Sequence, residues 1–323
     1  MSEADQAGAS PTASPPAGRR VGVALRRWGL AVLALGLGAI VLAGIGYRNA
    51  IATPIVRHAA FRLAGWPPRR PPLKLLLFAD LHVERPETDE RRVAAIVDQI
   101  NALHPDIVIG AGDFVGSRAE KGDYPERALA PLARLSAPLG VYAVLGNHDH
   151  VAGSARIAAI LARAHIRLLD GRPIEAGPLA IGGLDDYARG WDQYVAGETE
   201  LYQRMRRLSG ARIVVVHRPD QFARIPSDMP LMLAGHTHCG QIVLPLIGPV
   251  LTGSDLGRRY ACGIIREGGS TLVVTAGLGT SHVPLRFGAP PDMWLLELKG
   301  PADAAPAAKK AGGGAGSGNR TRI

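Results

Sequence analysis

Four short polar clusters in this sequence could hold metal ions. They are Asp80-Leu81-His82, Gly112-Asp113, Gly146-Asn147-His148-Asp149 and Gly235-His236-Thr237-His238, and each directly follows an apolar run typical of a strand. Carboxylate, amide and imidazole side chains together suit a divalent transition metal, because they supply oxygen and nitrogen ligands. The pattern predicts a metal site at the ends of several strands, and such a site favours hydrolysis as its chemistry.

The clusters differ in how specific they are. A single Asp-x-His or Gly-Asp at a strand end is common in turns, where Gly and Asp are favoured. His236 and His238 are more specific, because side chains two residues apart on extended backbone project to the same side. A further histidine, His217, follows the apolar run that ends at Val216.

In this order the clusters and His217 resemble the calcineurin-like metallophosphoesterases over residues 73–299. The continuation Cys239-Gly240-Gln241-Ile242 and the downstream Gly277-Leu278-Gly279 and Pro284-Leu285-Arg286 resemble the bacterial membrane-anchored branch of that family. Cys239 stands where that branch usually has a second glycine. The resemblance implies a dinuclear-metal phosphohydrolase that cleaves a phosphodiester or pyrophosphate with a metal-activated hydroxide.

The resemblance also implies which residues bind the metals. One metal is assigned to Asp80, His82 and His238, the other to Asn147, His217 and His236, and Asp113 bridges both. These ligand types suit two divalent ions, and Mn, Fe and Zn all remain open.

Three further residues receive roles near the substrate. His148 is expected to protonate the leaving oxygen or to stabilise the transition state. Asp149 is expected to orient His148, and Arg286 is a possible phosphate-binding residue through its planar guanidinium.

Two questions about function stay open. We expect a phosphate-containing small molecule or lipid as substrate, and the related branch includes enzymes of lipid A biosynthesis that cleave the pyrophosphate of UDP-2,3-diacylglucosamine. A non-catalytic metal-binding protein, or a membrane-anchored binding protein on the same fold, is the alternative, because a fold does not dictate a function.

The segment Trp28–Tyr47 carries no charge and is long enough to cross a membrane as a helix. Four arginines precede it, at positions 19, 20, 26 and 27, and three follow closely. The positive-inside rule therefore places the chain in the inner membrane as a single-pass protein, with its catalytic domain outside the cytoplasm. A cleaved signal ending near Ala50-Ile51-Ala52, or a twin-arginine export signal, is the alternative.

The net charge of +9 is concentrated at the two ends. Residues 1–72 carry nine basic and two acidic side chains, and residues 300–323 carry four basic and one acidic, so the middle of the chain is nearly neutral. A nucleic-acid partner is therefore not expected, because the catalytic region carries no excess of basic charge. We expect a monomer.

The composition divides the chain into five parts. Residues 1–27 and 300–323 are predicted to be disordered, 28–47 to be the membrane helix, 48–72 a Pro/Arg linker and 73–299 the metallophosphoesterase domain. Strands and helices alternate up to Ala234, and a run of strands read as antiparallel follows. This order predicts an α/β (α+β) fold of two mixed sheets face to face with helices outside, in agreement with the four-layer αββα sandwich that the resemblance implies. Whether Cys239 and Cys262 pair stays open.

Overall fold

A computed structural model describes residues 17–84, 86–116, 122–186 and 191–301, without the side chains of residues 17–24 and 191–193. Residues 1–16 and 302–323, most of the two ends predicted to be disordered, lie outside this range. The structure differs from that prediction at residues 17–27, which belong to a long helix.

The described residues form fourteen strands and five α-helices. The strands are β1 (Ile55–Arg62), β2 (Leu73–Phe78), β3 (Ile107–Ala111), β4 (Val141–Val144), β5 (Arg167–Leu168), β6 (Ile174–Ala176), β7 (Leu179–Leu184), β8 (Ala211–Val216), β9 (Leu231–Ala234), β10 (Val243–Leu244), β11 (Gly248–Pro249), β12 (Gly263–Glu267), β13 (Ser270–Val274) and β14 (Asp292–Lys299). The helices are α1 (Ala17–Ala50), α2 (Glu90–Ala102), α3 (Tyr124–Leu129), α4 (Asn147–Arg163) and α5 (Trp191–Met205).

Two six-stranded sheets carry the fold, in the orders β1-β14-β2-β3-β4-β5 and β12-β13-β9-β8-β7-β6. In the first sheet β2, β3, β4 and β5 are parallel, and β14 is antiparallel to β2. In the second sheet β7, β8, β9 and β13 are parallel, and β6 and β12 are antiparallel edge strands. Both sheets are therefore mixed, as predicted, although β13 pairs with β9 in parallel rather than antiparallel.

Alternation along each strand builds the layers. In β2, Leu75 and Leu77 belong to the core between the two sheets, whereas Leu76 and Phe78 belong to the core under the helices. The same division holds in β8, where Val215 faces the first sheet and Val214 packs on α5. Because successive side chains point to opposite faces, central strands such as β2 and β8 are buried on both sides. The result is the predicted four-layer αββα sandwich.

The helix α2 shows how the outer layers form. The Asp89 side chain caps it by accepting a hydrogen bond of 2.9 Å from the backbone N–H of Arg92. Val93, Ile96, Val97 and Ile100 are buried, with the spacing of one helix face.

The segment predicted as a linker contains an edge strand. β1 pairs in parallel with β14 along its whole length, from Ile55 beside Asp292 to Arg62 beside Lys299. Most of its side chains are exposed or half-buried. The strand is held by backbone hydrogen bonds rather than by an apolar face, so the sequence carries little signal for it.

One described helix is long and apolar enough to cross a membrane. It covers Leu25–Ala50 within α1, with a mean hydropathy of 2.3 and only 6% of that window buried. The predicted span, Trp28–Tyr47, lies inside it.

Candidate metal centre

The seven predicted ligands lie together at the carboxyl ends of five strands. Strands β2, β3 and β4 of the first sheet and β8 and β9 of the second run directly into the residues that carry them. Parallel strands bring their carboxyl ends to one edge, where α/β sheets place their ligands. The predicted ligands are Asp80, His82, Asp113, Asn147, His217, His236 and His238.

The first set contains Asp80, His82 and His238. The two imidazoles point their Nε2 atoms at each other, 3.1 Å apart. Asp80 Oδ1 lies 3.9 Å from His82 Nε2 and 3.7 Å from His238 Nε2. The three side chains thus converge on one point.

The second set contains Asn147, His217 and His236. His217 Nε2 lies 3.2 Å from Asn147 Oδ1 and 3.1 Å from His236 Nδ1. The remaining ring nitrogens are held by backbone carbonyls, since His217 Nδ1 lies 2.8 Å from the Ala111 oxygen and His236 Nε2 lies 2.9 Å from the Gly253 oxygen. Such contacts fix the ring orientation and leave the other nitrogen of each ring for a metal.

Asp113 lies between the two sets. Its Oδ2 atom is 3.5 Å from His82 Nε2 and 3.2 Å from His217 Nε2. Its Oδ1 atom accepts a hydrogen bond of 2.9 Å from the backbone N–H of His148. One carboxylate oxygen therefore faces both sets of ligands.

Burial and mutual contact control the charges at this centre. Burial lowers the pKa of His82 to about 3 and that of His236 to about 4, so both imidazoles are neutral. Burial raises the pKa of the Asp80 carboxyl to about 7. For His217, burial acts to lower the pKa, but the adjacent Asp113 carboxylate outweighs it and raises the value to about 10.

The backbone at the centre is unusual for residues with side chains. Asp80, His82, Asp113, His236 and His238 have φ angles between 42° and 70°, in the left-handed region that non-glycine residues rarely adopt. Such conformations persist only where the surrounding structure holds them, and they concentrate at functional sites.

Two motif glycines allow the loops to approach this closely. A Cβ atom at Gly235 would lie 2.6 Å from Asp80 Oδ2, and one at Gly146 would collide with the Asp113 carboxylate. The glycines that precede the third and fourth clusters are therefore required by packing around the ligands.

The residues fit metal ions. Three groups of three have ligand atoms all within 4.8 Å of one another, namely Asp80/His82/His238, His82/Asp113/His148 and Asp113/His217/His236. Their oxygen and imidazole donors suit a divalent transition metal. The neutral Nε2 atoms of His82 and His238, which face each other, would bind such an ion.

His148 lies beside the ligands and faces a cavity. Its ring centre is 4.9 Å from that of His82. The cavity has a volume of about 500 Å³ and is also lined by Asp113, Asn147, His236 and His238. His148 is half-buried, so its ring can reach both the centre and a bound substrate.

The structure corrects the expectation that Asp149 orients His148. Asp149 is fully buried. Its Oδ1 accepts hydrogen bonds from the backbone N–H groups of Phe114 (2.9 Å) and Val115 (3.2 Å), and its Oδ2 accepts one from Gly146 (2.9 Å). Asp149 therefore ties the loop after β3 to the start of α4, and so positions the loops that carry Asp113 and Asn147.

Arg286 also differs from its expected position. It is fully buried and does not line the cavity. Its guanidinium donates to the backbone carbonyls of Ala276 (2.7 Å), Gly279 (2.6 Å) and Ala289 (2.9 Å). Its Nη2 atom lies 3.3 Å from His238 Nδ1. The guanidinium thus holds the loop behind His238, and a phosphate in the cavity would not reach it.

Sequence reasoning missed two features of the cavity. Gln241 lies in the fourth cluster's continuation, donates to the carbonyls of Ser281 (3.1 Å) and Val283 (2.8 Å) and accepts from the Ser281 N–H (2.7 Å). It thereby joins two walls of the cavity, and His282 between its partners lines the cavity too. Gln241 stands in the quoted continuation of the fourth cluster, but its residue type indicated no role there, and His282 stands outside the quoted motifs.

Cys239 and Cys262 form a disulfide, with their Cα atoms 4.7 Å apart. The bond follows directly after His238 and closes the loop that supplies one wall of the cavity. The sequence left this pairing open.

Comparison with known proteins settles the family. The sequence profile of the calcineurin-like phosphoesterases matches residues 73–240, which is more than half of the chain. The chain belongs to this family. Family membership and the ligand groups described above together identify the chain as a metal-dependent phosphoester hydrolase.

Three relatives are similar to this metallophosphoesterase over most of its length. An uncharacterized metallophosphoesterase of Bacillus subtilis, YkuE, is 31% identical over 70% of this chain and 79% of its own. An uncharacterized metallophosphoesterase of Aquifex aeolicus is 29% identical over 72% of this chain and 87% of its own. A transmembrane protein with metallophosphoesterase domain from Danio rerio is 28% identical over 83% of this chain and 62% of its own.

Proposed function

We propose that this metallophosphoesterase is a dinuclear-metal hydrolase that cleaves a phosphodiester or pyrophosphate at the outer face of the inner membrane. The observation that carries the proposal is the position of Asp113. A single oxygen of that carboxylate lies within 3.5 Å of a ligand nitrogen from each set, His82 and His217. A carboxylate in that position can bind two ions at once.

The residues of the chain then have distinct tasks. When bound, two divalent ions supply Lewis-acid activation of water and of the phosphoryl group. Asp113 would hold both ions through its carboxylate, and Asn147 would offer the second ion a neutral oxygen. His148 faces the cavity from beside the ligands, where a ring N–H can donate a proton to the leaving oxygen.

Membrane attachment is the second part of the proposal. α1 is long and apolar enough to span a bilayer, and the similar proteins of zebrafish and cattle are named as transmembrane proteins. We infer that residues 28–47 form a single-pass anchor, followed by the catalytic part within 73–299.

The disulfide supports placement outside the cytoplasm. Disulfides such as Cys239–Cys262 persist in oxidising compartments and are rare in the cytosol. The arginines before the helix support the same orientation. A lipid-linked phosphoester of the outer leaflet fits this placement, whereas UDP-2,3-diacylglucosamine is made on the cytoplasmic side.

An assay of the full chain in detergent or nanodiscs tests the proposal. The protein is stripped of metal with a chelator, reloaded with Mn, Fe or Zn, and offered phosphomonoesters, phosphodiesters and pyrophosphates. We expect hydrolysis of a diester or pyrophosphate with two metals per chain. Two bound metals without hydrolysis of any substrate would instead assign the chain to the non-catalytic metal-binding proteins.

A further inference from the structure

Exposed apolar side chains surround one side of the cavity mouth. They come from the disulfide-closed loop between Cys239 and Cys262 and from the neighbouring segment, and we call them the apolar rim: Leu244, Leu246, Ile247, Val250, Leu251 and Val283. Leu246 is fully exposed, and Leu251 is 78% exposed. Soluble surfaces rarely expose large apolar side chains in such a contiguous group unless the group contacts a partner or a membrane.

The turn at the tip of the rim carries a leucine at a position where the backbone conformation is unfavourable for that residue. Leu246 connects β10 to β11 with a φ of 65°. Gly or Asn tolerates this left-handed conformation better than Leu. A strained and fully exposed leucine contributes nothing to the core, so packing within the protein does not account for an apolar side chain at this position.

The rim is joined to the end of the membrane helix. The Arg286 N–H donates to the Gly46 carbonyl (3.0 Å), and Asn49 Nδ2 donates to the Arg286 carbonyl (3.1 Å). The next residue, Phe287, packs its ring on Gly46 and accepts a hydrogen bond of 2.8 Å from the Val243 N–H of β10. One extended segment therefore lies between α1 and the loop that carries the rim.

Arg92 fixes the end of α1 on the catalytic part. Its Nη2 atom donates to the carbonyls of Ala50 (3.2 Å) and Ala52 (3.0 Å), where α1 ends. The same atom donates to the Leu278 carbonyl (3.2 Å), in the loop that follows β13. The helix end is thus held from two sides, and the catalytic part keeps one orientation relative to it.

We propose that the apolar rim inserts into the lipid bilayer beside α1. The rim is continuous with the point where α1 meets the catalytic part. The hydrogen bonds of Arg92 keep the orientation of the rim relative to α1 constant. Apolar side chains at such a position bury their surface in the acyl-chain region, as interfacial elements do.

The rim also defines the substrate class, an inference that rests on the proposed function. Val250, Leu251 and Val283 belong both to the rim and to the lining of the cavity that holds the metal ligands. A phosphoester with acyl chains can leave those chains in the bilayer while its phosphate reaches the metals. The site therefore takes lipid-linked phosphoesters presented from the membrane.

Quenching by brominated lipids tests the membrane contact. The full chain carrying Leu246→Trp is placed in vesicles of phosphatidylethanolamine and phosphatidylglycerol with bromines on the acyl chains. Val151→Trp is the control, because Val151 is 81% exposed on α4 and outside the rim. After subtraction of the unsubstituted chain's signal, we expect quenching at position 246 and not at 151.

Equal quenching at the two positions overturns the membrane contact. A second outcome also overturns the membrane contact: the tryptophan at position 246 is shielded from solvent in the absence of lipid, and light scattering detects a dimer. The rim would then contact a second copy of the chain.

Activity on two matched esters tests the substrate class. Leu246→Asn/Ile247→Ser removes apolar groups from the rim but keeps a residue suited to the turn, and Val151→Ser is the matched control. The esters are bis(nitrophenyl) phosphate in solution and the nitrophenyl ester of phosphatidic acid in the vesicles. We expect the double variant to lose roughly tenfold or more in kcat/KM on the lipid ester only, since loss of apolar contact weakens presentation.

Equal kcat/KM for double variant and control on the lipid ester contradicts the assigned substrate class. An unsubstituted, metal-loaded chain that hydrolyses neither ester and no pyrophosphate contradicts the proposed function instead, and the quenching result then decides the membrane contact by itself.

Discussion

The Oδ2 atom of Asp113 lies 3.2 Å from Nε2 of His217. The same oxygen is 3.5 Å from Nε2 of His82, which belongs to the other set of ligands. In the proposed dinuclear centre, this shared oxygen makes Asp113 the predicted ligand whose loss would affect both metal positions.

The change Asp113→Asn should remove both metals and most of the activity. An amide oxygen is neutral and cannot offset the charge of two ions, so turnover should fall by roughly 10²–10³-fold, equivalent to several kcal/mol. Elemental analysis gives the metal content and a diester assay gives turnover. Two metals per chain with full turnover in this variant would rule out the bridging assignment.

The change His148→Ala should leave both metals bound. Turnover should fall by roughly 10²–10⁴-fold, the usual contribution of a positioned acid or base. The loss should be smaller for nitrophenyl esters than for alkyl esters, because nitrophenolate leaves without a proton. If both ester types lose activity equally, His148 stabilises charge rather than donating the proton.

The change Arg286→Ala should destabilise the fold. It leaves the carbonyls of Ala276, Gly279 and Ala289 without their buried donor. Unpaired buried groups each cost about 1–3 kcal/mol, so the free energy of unfolding should drop by about 3 kcal/mol or more. Denaturant unfolding of the detergent-solubilised chain measures this.

Arg286→Lys serves as the comparison, because it keeps the charge and part of the donor set. Unchanged unfolding together with a raised KM in the alanine variant would return Arg286 to the role of phosphate ligand.

Metal binding should strengthen as pH rises from 6 to 8. Burial raises the pKa of Asp80 to about 7, so its carboxyl carries a proton below that pH, and His217, with its pKa raised to about 10, carries one throughout this range. A metal must displace these protons, so the apparent affinity should change by roughly tenfold per pH unit for each proton released.

Calorimetry in buffers of different ionisation enthalpy counts the protons released on metal binding. The metal affinity should fall as pH falls, because Asp80 and His217 both have raised pKa values and their protonated forms do not bind metal. An affinity that is constant between pH 6 and 8 would contradict these protonation states.

The catalytic part should lie outside the cytoplasm. Alkaline phosphatase fused after Ile323 should be active, because it folds only when exported, and a fluorescent protein exported at the same position by the general pathway should be dark. Labelling of the denatured full chain with a maleimide should increase only after reduction, since Cys239 and Cys262 are bonded. A fluorescent, phosphatase-negative fusion would put the site in the cytoplasm and restore the lipid A precursor as the leading substrate.

Local patterns in the sequence were sufficient for the layers of the fold. The run of residues 73–79, apolar except for Lys74, predicted a strand, and the spacing from Val93 to Ile100 predicted a helix with one buried face. The strands end at polar clusters, and carboxyl ends of parallel strands meet at one edge, so a metal site at that edge was predicted from the residues. The assignment of the seven proposed ligands came from the resemblance to the metallophosphoesterases.

Tertiary structure decided what depends on long-range contact. β1 has little apolar alternation and exists because β14 pairs with it. Asp149 faces the N–H groups of Phe114 and Val115 rather than His148, and Arg286 faces backbone carbonyls rather than the cavity. A sequence states which groups a residue can offer, but the partner of a buried charge is set by whichever chain segments the fold brings within hydrogen-bonding distance.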